Sequence, residues 1–173
     1  MTVSLDGLAT DHGWLRGRSG SFERARRTIK RLASESHLKA MDVITCVNQR
    51  NLYRLDELRD LLKDLGVPAW RLFIISPIGR RATREPELFL EPGQFHELLR
   101  KILRWRDQEG IEVALSESGY LGRCQSCAEW GQCRGNALHL WDREKNQTRM
   151  CHFHDFDLRA FDGKLPSSPT GNL

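Results

Sequence analysis

The sequence lacks any long apolar run, and no segment approaches the roughly 18 consecutive apolar residues of a membrane-spanning helix. Its first residues, MTVSLDGLATDHG, also lack the basic segment and apolar core of a secretory signal. These two absences predict a cytoplasmic protein that makes no contact with a membrane. Because the cytoplasm is reducing, we expect reduced or metal-bound thiols rather than disulfides.

A strong excess of one sign of charge is absent as well. Lysine and arginine number 27 against 23 aspartate and glutamate residues, so the formal net charge is only +4 at pH 7. Basic clusters do occur at residues 24–31 and 80–84, but aromatic residues are not interleaved with them. We therefore expect these clusters to be solvated surfaces, and a nucleic-acid partner is not expected.

The first 115 residues alternate between strand and helix patterns. Amphipathic periodicity predicts one helix from Ser19 or Ser21, a second capped by Asn51 and ended by Gly66, and a third that starts near Pro92. A long polar loop is expected at residues 8–20. Apolar and β-branched segments predict strands at residues 3–6, 41–47, 70–76 and 111–115. This alternation predicts a parallel sheet with right-handed crossovers, whose strands are buried on both faces.

Four of the five cysteines lie close together in the last third of the chain. They follow the pattern Cys124-x2-Cys127-x5-Cys133, with Cys151 after a further 17 residues. A four-coordinate metal or iron–sulfur site needs four soft ligands in a small volume, and Cys-x2-Cys lets one turn supply two of them. We therefore predict one shared metal site. The fifth cysteine, Cys46, lies in an apolar strand and is expected to be a core residue rather than a nucleophile.

Two kinds of metal are compatible with this stretch. An iron–sulfur cluster would be bound by Cys124, Cys127, Cys133 and Cys151. A zinc-binding interaction module would instead combine Cys124 and Cys127 with Cys151 and His154, because Cys151-x2-His154 forms a second knuckle of the kind that zinc prefers. Cys133 and His154 therefore distinguish the two hypotheses.

Several segments resemble the second half of a radical S-adenosylmethionine enzyme barrel. In order along the chain they are VSLDG, DHGWLRG, TCVNQRN and RLFIISPIGR. The stretch from GYLG to CRGNALHLW is similar to the C-terminal part of that family's auxiliary-cluster domain, called SPASM, as it occurs in peptide maturases. The resemblance implies an α/β fold with parallel strands: half of a TIM-like (β/α) barrel over residues 1–115, and a SPASM-like iron–sulfur module over residues 116–158. Residues 159–173 are predicted to be a disordered tail.

The sequence departs from this family in its cysteines. The family's catalytic cluster is bound by Cys-x3-Cys-x2-Cys, and no such triplet occurs here. The fourth position of the family's Cys-x2-Cys-x5-Cys-x3-Cys pattern is Ala137. The resemblance therefore implies a truncated relative that has no catalytic residues of its own and binds one auxiliary 4Fe–4S cluster through the four cysteines. Whether the chain takes part in an enzyme is left open.

The resemblance also implies a site for S-adenosylmethionine. In the family, strand ends line the cofactor pocket, and Ser4, Asp6 and Asn48 occupy such positions. The alternative is structural, with turn formation around Gly7 for the first two residues and capping for Asn48. A half-barrel would leave the first strand as an open edge. Either a second chain supplies the N-terminal half-barrel and completes the cofactor site, or the protein is only marginally stable, or the sequence is a gene fragment. The resemblance implies a peptide as the substrate.

Overall fold

The structure is a computed structural model that describes residues 1–75 except 36 and 39, residues 85–115 except 107 and 109, and the segments 141–142 and 147–148. The strands and helices alternate along the chain. They are β1 (Thr2–Ser4), α1 (Ala9–Arg16), α2 (Ser21–Ala33), β2 (Asp42–Val47), α3 (Leu55–Asp64), β3 (Ala69–Ile74), α4 (Pro92–Arg106), β4 (Glu112–Leu115), β5 (Trp141–Asp142) and β6 (Gln147–Thr148). Single 3-10 turns lie at Leu52–Arg54 and Pro86–Leu88.

The first four strands form one parallel sheet in the order β1-β2-β3-β4. Each strand lies beside the next strand of the chain, as consecutive strands do in a (β/α) barrel and as they do not at the centre of a doubly wound sheet. The predicted α/β class and parallel sheet are confirmed, and the strand order is consistent with part of a barrel.

The sheet has one covered face and one open face. On β2 and β3 the burial alternates strictly, with every second residue buried and the residues between them only half-buried. The covered face includes Val43, Thr45, Val47, Trp70, Leu72 and Ile74, and the open face includes Asp42, Ile44, Cys46, Ala69, Arg71 and Phe73. The prediction of burial on both faces is therefore wrong for these strands. The physical reason is that the helices of the described segments, and the core they form, pack against one side of the sheet.

The hydrophobic core lies between the covered face and the helices. Trp70 of β3 packs against Trp105 of α4, with 5.4 Å between ring centroids. The indole N–H of Trp70 donates to Oγ1 of Thr45 (2.8 Å), and that hydroxyl donates to the carbonyl of Leu5 (2.6 Å). The helices contribute Ile29, Leu55, Leu58, Leu62, Phe95, Leu98, Leu99 and Ile102, all buried. The apolar stripes predicted on α3 and α4 are thus confirmed.

Helices α3 and α4 are joined by a polar contact at the edge of this core. Asp56 of α3 accepts hydrogen bonds from the ammonium of Lys101 and from Nε1 of Trp105, the latter at 2.8 Å. Lys101 is a buried lysine, only 6% exposed. Because an unpaired buried ammonium is costly, Asp56 fixes how the two helices pack.

Helix α1 lies where the sequence predicts a loop. It covers Ala9–Arg16 and ends at Gly17, which adopts a left-handed conformation with φ of 61°. Its buried residues are polar, Asp11 and His12, so it has no apolar stripe from which a helix could be predicted. The expected loop is therefore wrong over these eight residues.

Most of the predicted SPASM-like module and all of the predicted tail lie outside the described residues. Within residues 116–158 the structure describes one antiparallel strand pair, in which Trp141 lies opposite Thr148 and Asp142 lies opposite Gln147. The boundary after residue 115 stays a prediction. No helix in the described segments has the length and apolar composition of a membrane-spanning helix.

Candidate functional site

Buried polar side chains gather where β1 and β2 end. Asp6 is completely buried, and Asn48 and Asn51 are each 1% exposed. His12 of α1, which is 3% exposed, packs beside them together with Arg16. We call these five residues the carboxyl-edge network. In a parallel sheet this edge is where ligands bind, because the loops that follow the strands meet there.

The Asp6 carboxylate is bonded on both oxygens. Oδ1 accepts the main-chain N–H of Cys46 (3.0 Å), which ties the end of β1 to β2. Oδ2 accepts Nε of Arg16 (2.6 Å). The main-chain N–H of Asp6 donates to Nδ1 of His12 (3.1 Å), and the same Nδ1 lies 3.5 Å from Oδ2. Burial by itself raises the pKa of Asp6, but the contacts with His12, Cys46 and Arg16 outweigh it and lower the pKa below its ordinary value.

Asn51 connects the ends of both strands. Its Nδ2 donates to the carbonyls of Asp6 (2.6 Å) and Cys46 (2.9 Å), while its Oδ1 accepts the main-chain N–H of Asn48 (2.9 Å). Its side chain makes no capping bond to the following helix. The predicted capping role of Asn51 is therefore wrong, because the side chain points back to the sheet.

Asn48 stabilises the turn after β2 with its own side chain. Its Oδ1 accepts the N–H groups of Arg50 (3.0 Å) and Asn51 (3.2 Å), and its Nδ2 donates to the carbonyl of Cys46 (3.3 Å). An asparagine oxygen that accepts the N–H two residues ahead stabilises a chain reversal. The structural alternative for Asn48 thus has direct contacts in its favour.

Gly7 lets α1 approach the strand ends. Its φ of 148° is one that side chains rarely adopt, and a Cβ there would lie 2.8 Å from Cβ of Asp11. The close approach also brings Oδ2 of Asp11 to 3.7 Å from Nη1 of Arg54. Gly7 therefore permits both the turn after β1 and the position of α1.

Arginine and aromatic side chains form the rim of this edge. The guanidinium carbon of Arg50 lies 4.6 Å from the ring centroid of Trp14, within the range of a cation–π contact. Next to it, Gln49 bonds to the 3-10 turn Pro86–Leu88 and to the residue after it. Its main-chain N–H donates to the carbonyl of Glu87 (2.9 Å) and its Nε2 to that of Phe89 (2.8 Å). Residues 87–89 are thus held against the chain just past the end of β2.

The structure brings two of the three predicted cofactor-binding residues into one network. Asp6 and Asn48 both bond to the main chain of Cys46. Ser4 is the last residue of β1 and is half-buried, and its hydroxyl makes no hydrogen bond to the described residues. It shares the open face with Ile44, its register partner on β2. The cofactor-binding role of all three residues stays a prediction.

Sequence reasoning missed His12 and Arg16 as members of the site. Their spacing of four residues would place both on one side of a helix, and this was the available signal. The segment lacks an apolar stripe and therefore resembles a loop in sequence. The prediction that Cys46 is a core residue is also wrong, because its side chain is half-buried on the open face.

The predicted metal ligands lie outside the described residues. They are Cys124, Cys127, Cys133 and Cys151, with His154 in the zinc alternative. Both metal hypotheses therefore stay predictions. In the described part of the chain no group of three or more histidine, cysteine, aspartate or glutamate side chains could hold a metal ion.

The basic cluster of α2 is exposed, as the sequence predicts for a solvated outer face. Arg24, Arg27, Lys30 and Arg31 are all exposed, and Arg26 pairs with Glu23 at 3.0 Å. The second basic cluster, residues 80–84, lies outside the described residues.

The fold and the edge define an α/β protein with a sequentially ordered parallel sheet and a buried polar network at its carboxyl end. No family model matches the sequence. Curated relatives do match. One is an AdoMet-dependent heme synthase of Methanosarcina barkeri, 26% identical over 148 residues that cover 73% of this chain and 42% of the relative. The chain is thus related to radical S-adenosylmethionine proteins.

Two further relatives carry the same name. The protein of Nitratidesulfovibrio vulgaris is 28% identical over 99 residues, which cover 57% of this chain and 26% of the relative. That of Oleidesulfovibrio alaskensis is 32% identical over 82 residues, which cover 47% of this chain and 21% of the relative. The chain spans less than half the length of the curated relatives that it matches.

Proposed function

We propose that this chain contributes a cofactor-binding sheet edge and one auxiliary 4Fe–4S cluster to a radical S-adenosylmethionine reaction. The observation that carries the proposal is the parallel sheet in chain order whose carboxyl edge joins Asp6 and Asn48 in one buried network. Ligands of parallel α/β sheets bind at this edge. The three relatives named AdoMet-dependent heme synthase support the same cofactor.

The auxiliary cluster is assigned to Cys124, Cys127, Cys133 and Cys151, in a SPASM-like module. Four thiolates are the donor set that a 4Fe–4S cluster requires, so the residues fit the group. A bound cluster would transfer electrons or help to bind the substrate. The zinc alternative exchanges Cys133 for His154.

The catalytic cluster is assigned to a partner polypeptide. This sequence has no Cys-x3-Cys-x2-Cys triplet, and the open face of its sheet leaves apolar side chains half-buried, among them Ile44 and Phe73. We infer that a partner with the first half of the barrel covers this face. The reaction would then take place between the two polypeptides, and the chain by itself would not be catalytic.

Two substrate classes compete for this site. The resemblance to peptide maturases favours a peptide. All three relatives are named AdoMet-dependent heme synthase, which favours a role in heme synthesis instead. We propose the heme-related role as the second candidate function, and turnover of a porphyrin in place of a peptide by the assembled system would separate the two.

Anaerobic reconstitution with iron and sulfide tests the cluster assignment. Broad absorption near about 400 nm and about four irons per chain are expected for one cysteine-bound 4Fe–4S cluster. Cys133→Ser should abolish the absorption, and the matched variant His154→Ala should keep it. One zinc per chain, lost in His154→Ala and kept in Cys133→Ser, would instead establish the zinc module.

A further inference from the structure

Positive charge is concentrated on helix α2 and just before it. Residues 16–31 contain seven arginine or lysine residues and a single glutamate, whereas the net charge of the whole chain is only +4. The remainder of the chain is therefore slightly acidic. A surface that serves only for solubility mixes both signs of charge, and the outer face of α2 does not.

Most of these cations have no ion-pair partner in the described part of the chain. Within residues 16–31, Arg16 pairs with Asp6 and Arg26 pairs with Glu23. The unpaired members are all exposed: Arg18, Arg24, Arg27, Lys30 and Arg31. By contrast, several arginines elsewhere pair with carboxylates, namely Arg50, Arg54, Arg59, Arg71 and Arg104. Unpaired positive charge is thus a property of this one surface.

Three of the unpaired arginines form a line along α2. Arg24, Arg27 and Arg31 follow the spacing i, i+3, i+7, which places them within about 60° of one another around the helix and over about 10 Å along it. We call these three residues the basic stripe. Like charges at this spacing repel each other and destabilise a helix, so the stripe is unfavourable for the chain alone. Contact with an acidic surface would remove that repulsion.

The basic stripe lies on the side of α2 that faces away from α3. Ala33 marks the opposite side, because a Cβ on Gly66, just after α3, would lie 3.7 Å from the Cβ of Ala33. Ala33 follows Arg24 by nine residues, which corresponds to about 180° around the helix. Helix α2 follows β1, the outermost described strand of the sheet. The stripe therefore borders the edge at which a chain that completes the barrel would place its own last helix.

We propose that the basic stripe binds an acidic polypeptide surface, and that this surface belongs to the partner chain that completes the barrel. The proposal rests on the proposed function for the existence of that partner, and it adds the chemistry of the contact. Guanidinium groups bind carboxylates through paired hydrogen bonds. Glutamates at the same helical spacing on a neighbouring helix would face all three arginines.

Two other kinds of anionic partner fit the basic stripe less well. The exposed residues of α2 are all polar or charged, so none of them can stack on a nucleic-acid base or insert into a bilayer. A nucleic-acid duplex extends far beyond the roughly 10 Å of the stripe, and its phosphates would be repelled by the acidic remainder of the chain. A short acidic helix contacts the stripe alone.

A helical peptide with glutamates at i, i+3 and i+7 is the probe, and the same peptide with glutamines is its control. Binding of each fluorescently labelled peptide to the full chain is measured by anisotropy at low and at high salt. The wild type should bind the glutamate peptide at least about tenfold more tightly, and high salt should remove the difference. The measurement needs no second chain and no cofactor, because the stripe lies entirely on α2.

Two triple variants separate the position of the charges from their number. The stripe variant, in which all three arginines become glutamine, should bind the glutamate peptide about tenfold or more weakly. It should unfold at the wild-type midpoint or slightly above it, since repulsion is lost and no ion pair is. The control variant should lose less than about threefold in affinity. It removes three exposed cations that lie off the stripe: Arg26→Gln, Lys63→Gln and Arg104→Gln.

The same measurements can overturn the inference. Equal binding of the two peptides by the wild type, or an equal loss of affinity in the two triple variants, would do so. Tighter binding of an oligonucleotide duplex or of a phosphatidylserine vesicle than of the glutamate peptide would also overturn it. Each of these results would leave the cluster assignment standing, because iron analysis of the reconstituted chain decides that assignment independently.

Discussion

The Asp6 carboxylate makes the stability of the protein depend on pH in a predictable direction. Because its pKa is lower in the folded chain, the unfolded chain binds the proton more tightly. Its contribution is therefore fully present above its ordinary value of 3.8 and is lost as the pH falls towards the lower folded value.

Asp6→Asn should remove this contribution. At neutral pH the variant should lose about 2 kcal/mol of unfolding free energy, because a buried, charge-assisted bond to Arg16 is broken. As the pH falls from 3.8 towards the lower folded pKa of Asp6, the stabilities of the wild type and the variant should approach each other. Urea unfolding between pH 7 and about pH 3 measures both effects, and parallel curves for the two proteins would contradict the assignment.

Gly7 gives a second prediction for a single residue. Gly7→Ala combines a φ of 148° with a Cβ placed 2.8 Å from Cβ of Asp11, so it should cost about 2 kcal/mol or more. Gly13→Ala, in the middle of α1, meets nothing within 4 Å and should stabilise the helix by up to about 1 kcal/mol. Thermal unfolding compares the two variants, and equal midpoints would show that α1 does not pack closely on the turn.

Residues of this network were only partly predictable. Asp6 and Asn48 stand directly after apolar strands, and that position is visible in a sequence. The direction of the Asn51 side chain is not visible in the sequence, because an asparagine after a strand can cap a helix or bond to the sheet edge equally well. Its partners, the carbonyls of Asp6 and Cys46, are brought within reach only by the parallel pairing of β1 with β2.

Among the elements, α3 and α4 were predictable and α1 was not. Helices α3 and α4 carry apolar stripes that match the helical period and are buried against the sheet. Helix α1 is instead attached by polar contacts, Arg16 with Asp6 and Asp11 with Arg54. A helix stabilised in this way has no apolar periodicity, so its sequence resembles that of a loop.

The contact of Asp56 with α4 is predicted to stabilise the packing of α3 against α4. Asp56→Ala should cost about 2 to 4 kcal/mol, because the ammonium of Lys101 would stay buried without its partner. Asp60→Ala is the control, since Asp60 is 61% exposed and pairs with Arg59 at the surface. It should change stability by less than about 1 kcal/mol.

A second substitution isolates the cause. Adding Lys101→Met to Asp56→Ala removes the unpaired charge and should restore most of the lost stability. Chemical unfolding of the single and double variants provides the measurement. A double variant no more stable than Asp56→Ala would show that the indole bond to Trp105, rather than the ammonium, dominates.

At the scale of the whole molecule, strand order was predictable and the two faces of the sheet were not. Alternating strand and helix patterns imply a parallel sheet, and the resemblance to a (β/α) barrel implies that its strands follow chain order. The apolar residues of the open face, such as Ile44 and Phe73, led to the incorrect prediction that the strands are buried on both faces. They alternate with the covered face, against which the described helices pack, and the ion pair of Asp42 with Arg71 lies among them.

The proposed metal module gives the prediction that tests the molecule as a whole. Small cysteine-rich modules draw much of their folding free energy from the bound metal. Cys151→Ser should therefore abolish metal binding and make residues 119–157 sensitive to proteolysis. It should leave the sheet of residues 1–115 resistant, because the core there is formed by β1–β4 and the helices.

Cys46→Ser is the matched control, since it removes a thiol from the open face and is expected to retain the metal. Limited proteolysis with mass spectrometry locates the cuts, and metal analysis of the same samples gives the stoichiometry. A Cys151→Ser protein that keeps its metal and resists cleavage in residues 119–157 would remove Cys151 from the site. Cuts throughout residues 1–115 would instead show that the stability of the sheet depends on the metal module. That result is expected if the module packs against the open face of the partial barrel.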